Sequence, residues 1–120
     1  MRPYKLVASA VAIGLATAGA TALAGEQTDP NIIAEGKSIA FDRKKGNCLS
    51  CHMIEDGELP GNSGPPLIAR QQRYPDKAKL REQIWDATVR NAQSMMPPFG
   101  KHGILTEDEL DKVVEYIYSL

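Results

Sequence analysis

Two cysteines, two histidines and seven aromatic residues are all that this 120-residue chain holds of those side chains, and each shortage removes a class of answer. The cysteines stand three positions apart, so a disulfide between them would close a ring too small to staple a domain. Two histidines with no further cysteine fall short of the ligand set that structural zinc requires. Fourteen basic residues against fifteen acidic ones leave no cationic surplus, and a nucleic-acid partner is not indicated. No stretch alternates in the manner of a strand, and there is no internal repeat. The few aromatics matter most: a small domain with so little aromatic bulk gains from an additional apolar body in its core, which a bound cofactor would supply.

The one long apolar run lies at the start. Residues 1–24 combine a basic beginning (Arg2, Lys5), an apolar stretch from Leu6 to Ala20, and the small-x-small ending Ala22-Leu23-Ala24. That is the pattern of a cleaved signal peptide. No cysteine follows at Gly25, which argues against a lipid anchor there. The expectation is export to the periplasm, no membrane anchor after cleavage, and one domain over residues 25–120 with a net charge of about −3 once Arg2 and Lys5 are gone.

Within that domain the pattern is helical. Asp29-Pro30 offers a cap and a first-turn proline to a segment in which Ile32, Ile33, Gly36, Ile39 and Ala40 share a face. Residues 53–74 are broken by glycine and proline and read as one long irregular loop. Asp76 caps a second segment, with Leu80, Ile84, Ala87 and Thr88 along one side and Trp85 beside it. "SMMPPFGKHG" interrupts again. Thr106 and Glu109 have the spacing of a capping box, and Leu110, Val113, Val114, Ile117 and Leu120 form the stripe of a terminal helix. The fold class is all-α with long loops, and loops of such length in a small domain usually wrap something.

The two cysteines lie in "GNCLSCH". A thioredoxin-type dithiol would need a strand leading into the motif, and none is present. The remaining pattern, C-x-x-C-H, is that of covalent attachment of a c-type haem. Two thiols with a two-residue gap reach the two vinyl groups along one porphyrin edge, making Cys48 and Cys51 thioethers. The next residue, His52, places its imidazole under the iron as an axial ligand. A haem that only transfers electrons is usually held on both faces. Met53 follows His52 directly and cannot reach the opposite face. Met95 and Met96 lie 43 and 44 residues beyond His52, and Pro97 biases Met96 out of helical geometry. Met96 is therefore preferred over Met95, and His102, set among glycines and lysines, ranks behind both. Gly64-Pro65-Pro66-Leu67 reads either as a simple turn or as the source of a carbonyl that accepts the other imidazole N–H.

With "CLSCH", "GPPL" and Met96 in this order, the chain from residue 25 onward resembles the class I monohaem cytochromes c. That resemblance implies one covalent haem c, a proline carbonyl, here Pro65, on the haem histidine, and a close crossing of the first and last helices that Gly36 and Tyr116 or Tyr118 would serve. A narrower likeness runs through "KKGNCLSCHMI", "GNSGPPL" and "MPPFGKHGILTEDEL". These resemble the SoxX family, small cytochrome subunits of SoxAX thiosulfate-oxidising complexes. Membership there would imply a SoxA-like haem protein as heterodimer partner and a downstream electron acceptor. The chain itself would then be a non-catalytic electron-transfer subunit, with no catalytic residue of its own. A diffusible periplasmic electron carrier needs the same six-coordinate haem and is the alternative. A haem enzyme or gas sensor with an open iron position would be betrayed by prompt carbon monoxide binding. Arg43, Lys44 and Lys45 would edge a docking face or simply form a solvated charge run.

Overall fold

The structure is a computed structural model that describes residues 28–120. The expected signal peptide of residues 1–24 lies outside the described residues. Four α-helices, α1 (Pro30–Phe41), α2 (Arg70–Arg73), α3 (Lys77–Trp85) and α4 (Glu107–Tyr118), alternate with loops and two short 3-10 turns, Cys48–Ser50 and Ala87–Val89. No strand occurs among the described residues. The fold is the all-α one expected.

α1 and α4 cross closely, and Gly36 is the reason they can. A Cβ on Gly36 would lie 2.0 Å from the Lys112 carbonyl oxygen and 3.0 Å from the Tyr116 Cβ. Any larger residue would therefore push the two backbones apart. Beside the crossing, the Tyr116 ring meets the Phe41 ring edge-on, with centroids 6.0 Å apart. Burial holds the Tyr116 hydroxyl up at about 12, so it stays neutral.

Thr106 caps α4 through the Glu109 amide, and the Glu109 side chain returns to the Thr106 amide, completing the predicted capping box. Such a cap contributes about 1 kcal/mol. Each of the buried Leu110, Val113, Val114 and Ile117 contributes roughly 1.5–3 kcal/mol. Packing therefore holds α4 in place, and the cap decides where it starts.

Two expectations need correction. Residues 53–74 are not all loop: Arg70–Arg73 forms one helical turn, entered through Ala69 at a left-handed φ of 50°. Its Tyr74 amide bonds back to the Arg70 carbonyl, and the Arg70 amide donates to the Leu120 carbonyl at 2.9 Å. A long-range bond to the chain's last residue thus shapes this segment, which no local pattern announces. The helix of α3 also ends sooner than the apolar spacing through Thr88 suggested. Asp86 leaves helical geometry and its carboxylate caps the next short turn by accepting from the Thr88 amide. A side chain that competes for backbone donors stops the helix there.

Candidate functional site

The 3-10 turn Cys48–Ser50 brings the cysteines and His52 to one wall of a cavity of about 620 Å³. Asn47 enters the turn at a left-handed φ of 47°, and the Cys51 and His52 amides both donate to the Cys48 carbonyl. Cys48 and Cys51 are half-buried and not bonded to each other. Their surroundings differ. Burial pushes the Cys48 thiol up to about 11, whereas hydrogen bonds from Ser63 and Ser50 lower that of Cys51.

His52 Nδ1 lies 2.7 Å from the Pro65 carbonyl oxygen. A carbonyl can only accept, so Nδ1 carries the proton and Nε2 keeps its lone pair. The segment that delivers Pro65 is tied back to the cysteine turn by Gly61 N–H to Leu49 O at 2.7 Å, Gly64 N–H to Cys51 O at 2.8 Å and Leu67 N–H to Met53 O at 2.9 Å. Gly64 lies against the imidazole, where a Cβ would come within 2.5 Å of the ring. The "GPPL" segment is thus more than a turn: its first residue makes room for the ring and its second hydrogen-bonds to it.

Met95 and Met96 line the same cavity. Met95 is 80% exposed, whereas Met96 is partly buried and packs on the core. Neither Met53, which is 49% exposed, nor the exposed His102 is among the lining residues. The methionine loop is pinned just downstream. The Gly100 and Lys101 amides donate to the Trp85 carbonyl, and those of Ile104 and Leu105 to the Phe99 carbonyl. Lys101 Nζ contacts the buried Asp86 at 2.7 Å, and this ion pair, aided by Thr88, holds the Asp86 carboxyl down at about 2.

The residues fit a haem. Leu67, Leu80, Ile84, Phe99, Leu105 and Ile117 give the cavity apolar walls, and its volume falls in the range of pockets that enclose small cofactors. His52, both cysteines and both methionines are among its lining residues. No carboxylate is among its lining residues, while Arg43, Lys44, Lys45 and Arg70 are. That balance suits a cofactor bearing carboxylates of its own. The described residues hold no group of three or more His, Cys, Asp or Glu placed to bind a metal ion unaided.

Two residues of this site escaped the sequence reading. Asp86 anchors the methionine loop, and "DAT" continues the helical apolar spacing although Asp two residues before Thr is also a turn signal. Arg70 is only 4% exposed, donates to the Pro66 carbonyl and lines the cavity. Nothing local marks it for burial.

The chain is similar to known proteins. One chain of the crystal structure of SoxXA from P. pantotrophus superimposes with a TM-score of 0.65 at 28% identity, covering 72% of this chain and 79% of that one. An uncharacterized lipoprotein of Aquifex aeolicus (strain VF5) is 34% identical over 77 residues, which is 63% of this chain. The match spans only 37% of that relative's length. The family described as cytochrome C oxidase, cbb3-type, subunit III matches residues 31–117. Sharing that match and the SoxXA fold, the chain belongs to this family of haem c proteins and is a SoxX-like cytochrome.

Proposed function

We propose that the cavity holds a single haem c, attached through Cys48 and Cys51, with His52 and Met96 as its axial ligands. The chain would act as the electron-transfer subunit of an exported, SoxAX-like complex that couples thiosulfate oxidatively to a carrier-protein cysteine. The observation that carries this reading is the His52–Pro65 contact of 2.7 Å. It leaves Nε2 as the free donor beside both thiols and a half-buried methionine, in one apolar cavity.

When bound, the haem supplies a one-electron redox centre. The chain's own part is to hold the imidazole in one tautomer and orientation, to present a thioether from a loop stiffened by Pro97 and Pro98, and to keep water off the centre with its apolar walls. Histidine with methionine ligation favours a high reduction potential, suited to drawing electrons from a sulfur site. A SoxA-like haem protein is the proposed heterodimer partner and a downstream electron acceptor the onward route, with the periplasm as the compartment. Likeness to the SoxXA chain supports the complex over a diffusible carrier.

Purification from the native periplasm tests the proposal. A second haem protein retained at high salt, together with thiosulfate-dependent reduction, is the expected result. Salt disrupts docking that rests on exposed charges, so loss of the partner and no response to thiosulfate would favour the diffusible carrier.

A further inference from the structure

Trp85, the chain's only tryptophan, is half-buried against the core and is not among the residues that line the cavity. Met95, Met96, Pro97 and Phe99 are. Any influence of Trp85 on the cavity therefore passes through the loop that carries them.

Three contacts join Trp85 to that loop and to α4. Its indole lies directly against Gly100, where a Cβ would come within 1.8 Å of the ring's Cδ1, 2.2 Å of Nε1 and 2.5 Å of Cγ. The Trp85 carbonyl accepts from the Gly100 and Lys101 amides at 3.2 and 3.3 Å, so one residue grips the same stretch of loop by its ring and by its backbone. Nε1 donates to Glu107 Oε1 at 3.2 Å. Arg81, one turn earlier in α3, also donates to Glu107 and, through its Nε, to Asp111 at 2.6 Å. The end of α3, the methionine loop and the first turn of α4 thus meet on one indole. An aromatic ring brings a large, rigid apolar face, suited to pinning a length of backbone that has no side chain of its own.

The geometry points to Trp85 as a positioning residue: its indole clamps the Gly100 backbone and so keeps Met96 turned into the cavity, with Glu107 fixing the ring from α4. The inference rests on the reading of Met96 as an axial ligand. A clamp of this kind sets how often the methionine loop opens, a local equilibrium that falls short of unfolding.

An external ligand for the iron reads that equilibrium. Imidazole binds only where the thioether has left, so its apparent affinity for the ferric holoprotein scales with the open fraction. Trp85→Ala, which removes the ring, and Gly100→Ala, which drives a methyl group into an intact ring, are each expected to raise that affinity about tenfold. Trp85→Phe keeps a ring on Gly100 and loses the Nε1 bond, and should stay within about threefold of the native protein. Once Trp85→Ala has removed the ring, adding Gly100→Ala should change little, because the two act through one contact. Gly100→Ala leaves Trp85 in place and decides the matter even where Trp85→Ala fails to fold. Native affinity in every foldable variant overturns the proposal. So do fully additive effects in the double variant, or a lowered denaturant midpoint with native affinity, which would leave Trp85 a structural role alone. Met96→Ala separates this failure from that of the reading beneath it. If the native protein binds imidazole as tightly as Met96→Ala does, Met96 does not hold the sixth position and both fall. If Met96→Ala binds far more tightly, unmoved Trp85 and Gly100 variants sink only the clamp.

Discussion

The two sides of the cavity are built in opposite ways. On the His52 side the functional residues fall within one short stretch, and the backbone ties that stretch to itself through Leu49, Cys51 and Met53 as acceptors. The ring fits against Gly64 with no room to spare. On the methionine side Met96 has one nearby bond, from its amide to Ser94 Oγ at 3.2 Å. Its loop is held from outside, by Trp85 and Asp86 at the end of α3 and by Phe99 folding under it. One side is rigid through local closure and the other through anchors distant in sequence. The first should therefore fail abruptly when altered within, and the second gradually when its anchors loosen.

Gly64→Val breaks the comparison most severely. The added Cβ alone would stand 2.5 Å from the His52 ring, so the imidazole must turn away from the Pro65 carbonyl. Overpacking of this kind costs about 3 kcal/mol. The expected result is a protein with a clearly lower denaturant midpoint and an altered visible spectrum, whereas a native-like spectrum and midpoint would show that the Pro65–His52 side yields easily.

On the other side the paired methionines allow a direct contrast. Met96→Ala removes a half-buried side chain and is expected to lose about 2 kcal/mol together with the native axial spectrum. Met95→Ala removes an 80% exposed one and should stay within about 0.5 kcal/mol of the native protein with its spectrum intact. Unchanged ligation in both variants would mean that neither methionine binds the iron.

Acid sharpens the same comparison. Asp86 is held at about 2, below its ordinary 3.8, by Lys101 first and Thr88 next. A carboxyl whose folded value is depressed contributes fully above its unfolded pKa and loses that contribution as pH falls through the folded one. The anchor of the methionine loop is thus intact above about pH 4 and is lost towards pH 2. Following the axial spectrum and the far-UV signal together between pH 5 and 2 should show the proposed methionine ligation weakening before the helices melt. The Asp86→Asn variant should show this weakened state already at neutral pH.

Legibility in the sequence follows the same division. α1, α4 and their caps were readable because Asp29, Pro30, Thr106 and Glu109 act within one turn of themselves. The grouping of Cys48, Cys51 and His52 at one cavity was readable because the three stand contiguous in one short motif. Gly36 and Tyr116 became legible through family likeness, and the structure places them together where α1 crosses α4. Arg70 and the Asp86–Lys101 pair were not legible, since each takes its meaning from partners that only the fold brings near. The end of α3 was misplaced for a related reason: Ala87 and Thr88 continue the apolar spacing, while the Asp86 carboxylate draws the Thr88 amide away from the helix.

A further small effect tests how the Arg70 turn is held. Ala69 adopts φ 50° immediately before Arg70, a left-handed conformation that costs a residue with a Cβ roughly 1–2 kcal/mol. Ala69 is exposed, so nothing in its side chain repays that cost. The return comes from what the bend delivers: Arg70 N–H to the Leu120 carbonyl at 2.9 Å and the guanidinium to the wall that adjoins Pro65. Ala69→Gly relieves the strain but frees the unfolded chain further, and the two effects oppose each other. The net expectation is a gain of up to about 1 kcal/mol in a denaturant titration, with the reduction potential unchanged because Arg70 stays where it was. A loss of stability would mean that the bend is not strained, and a moved potential would mean that Ala69 helps to aim Arg70.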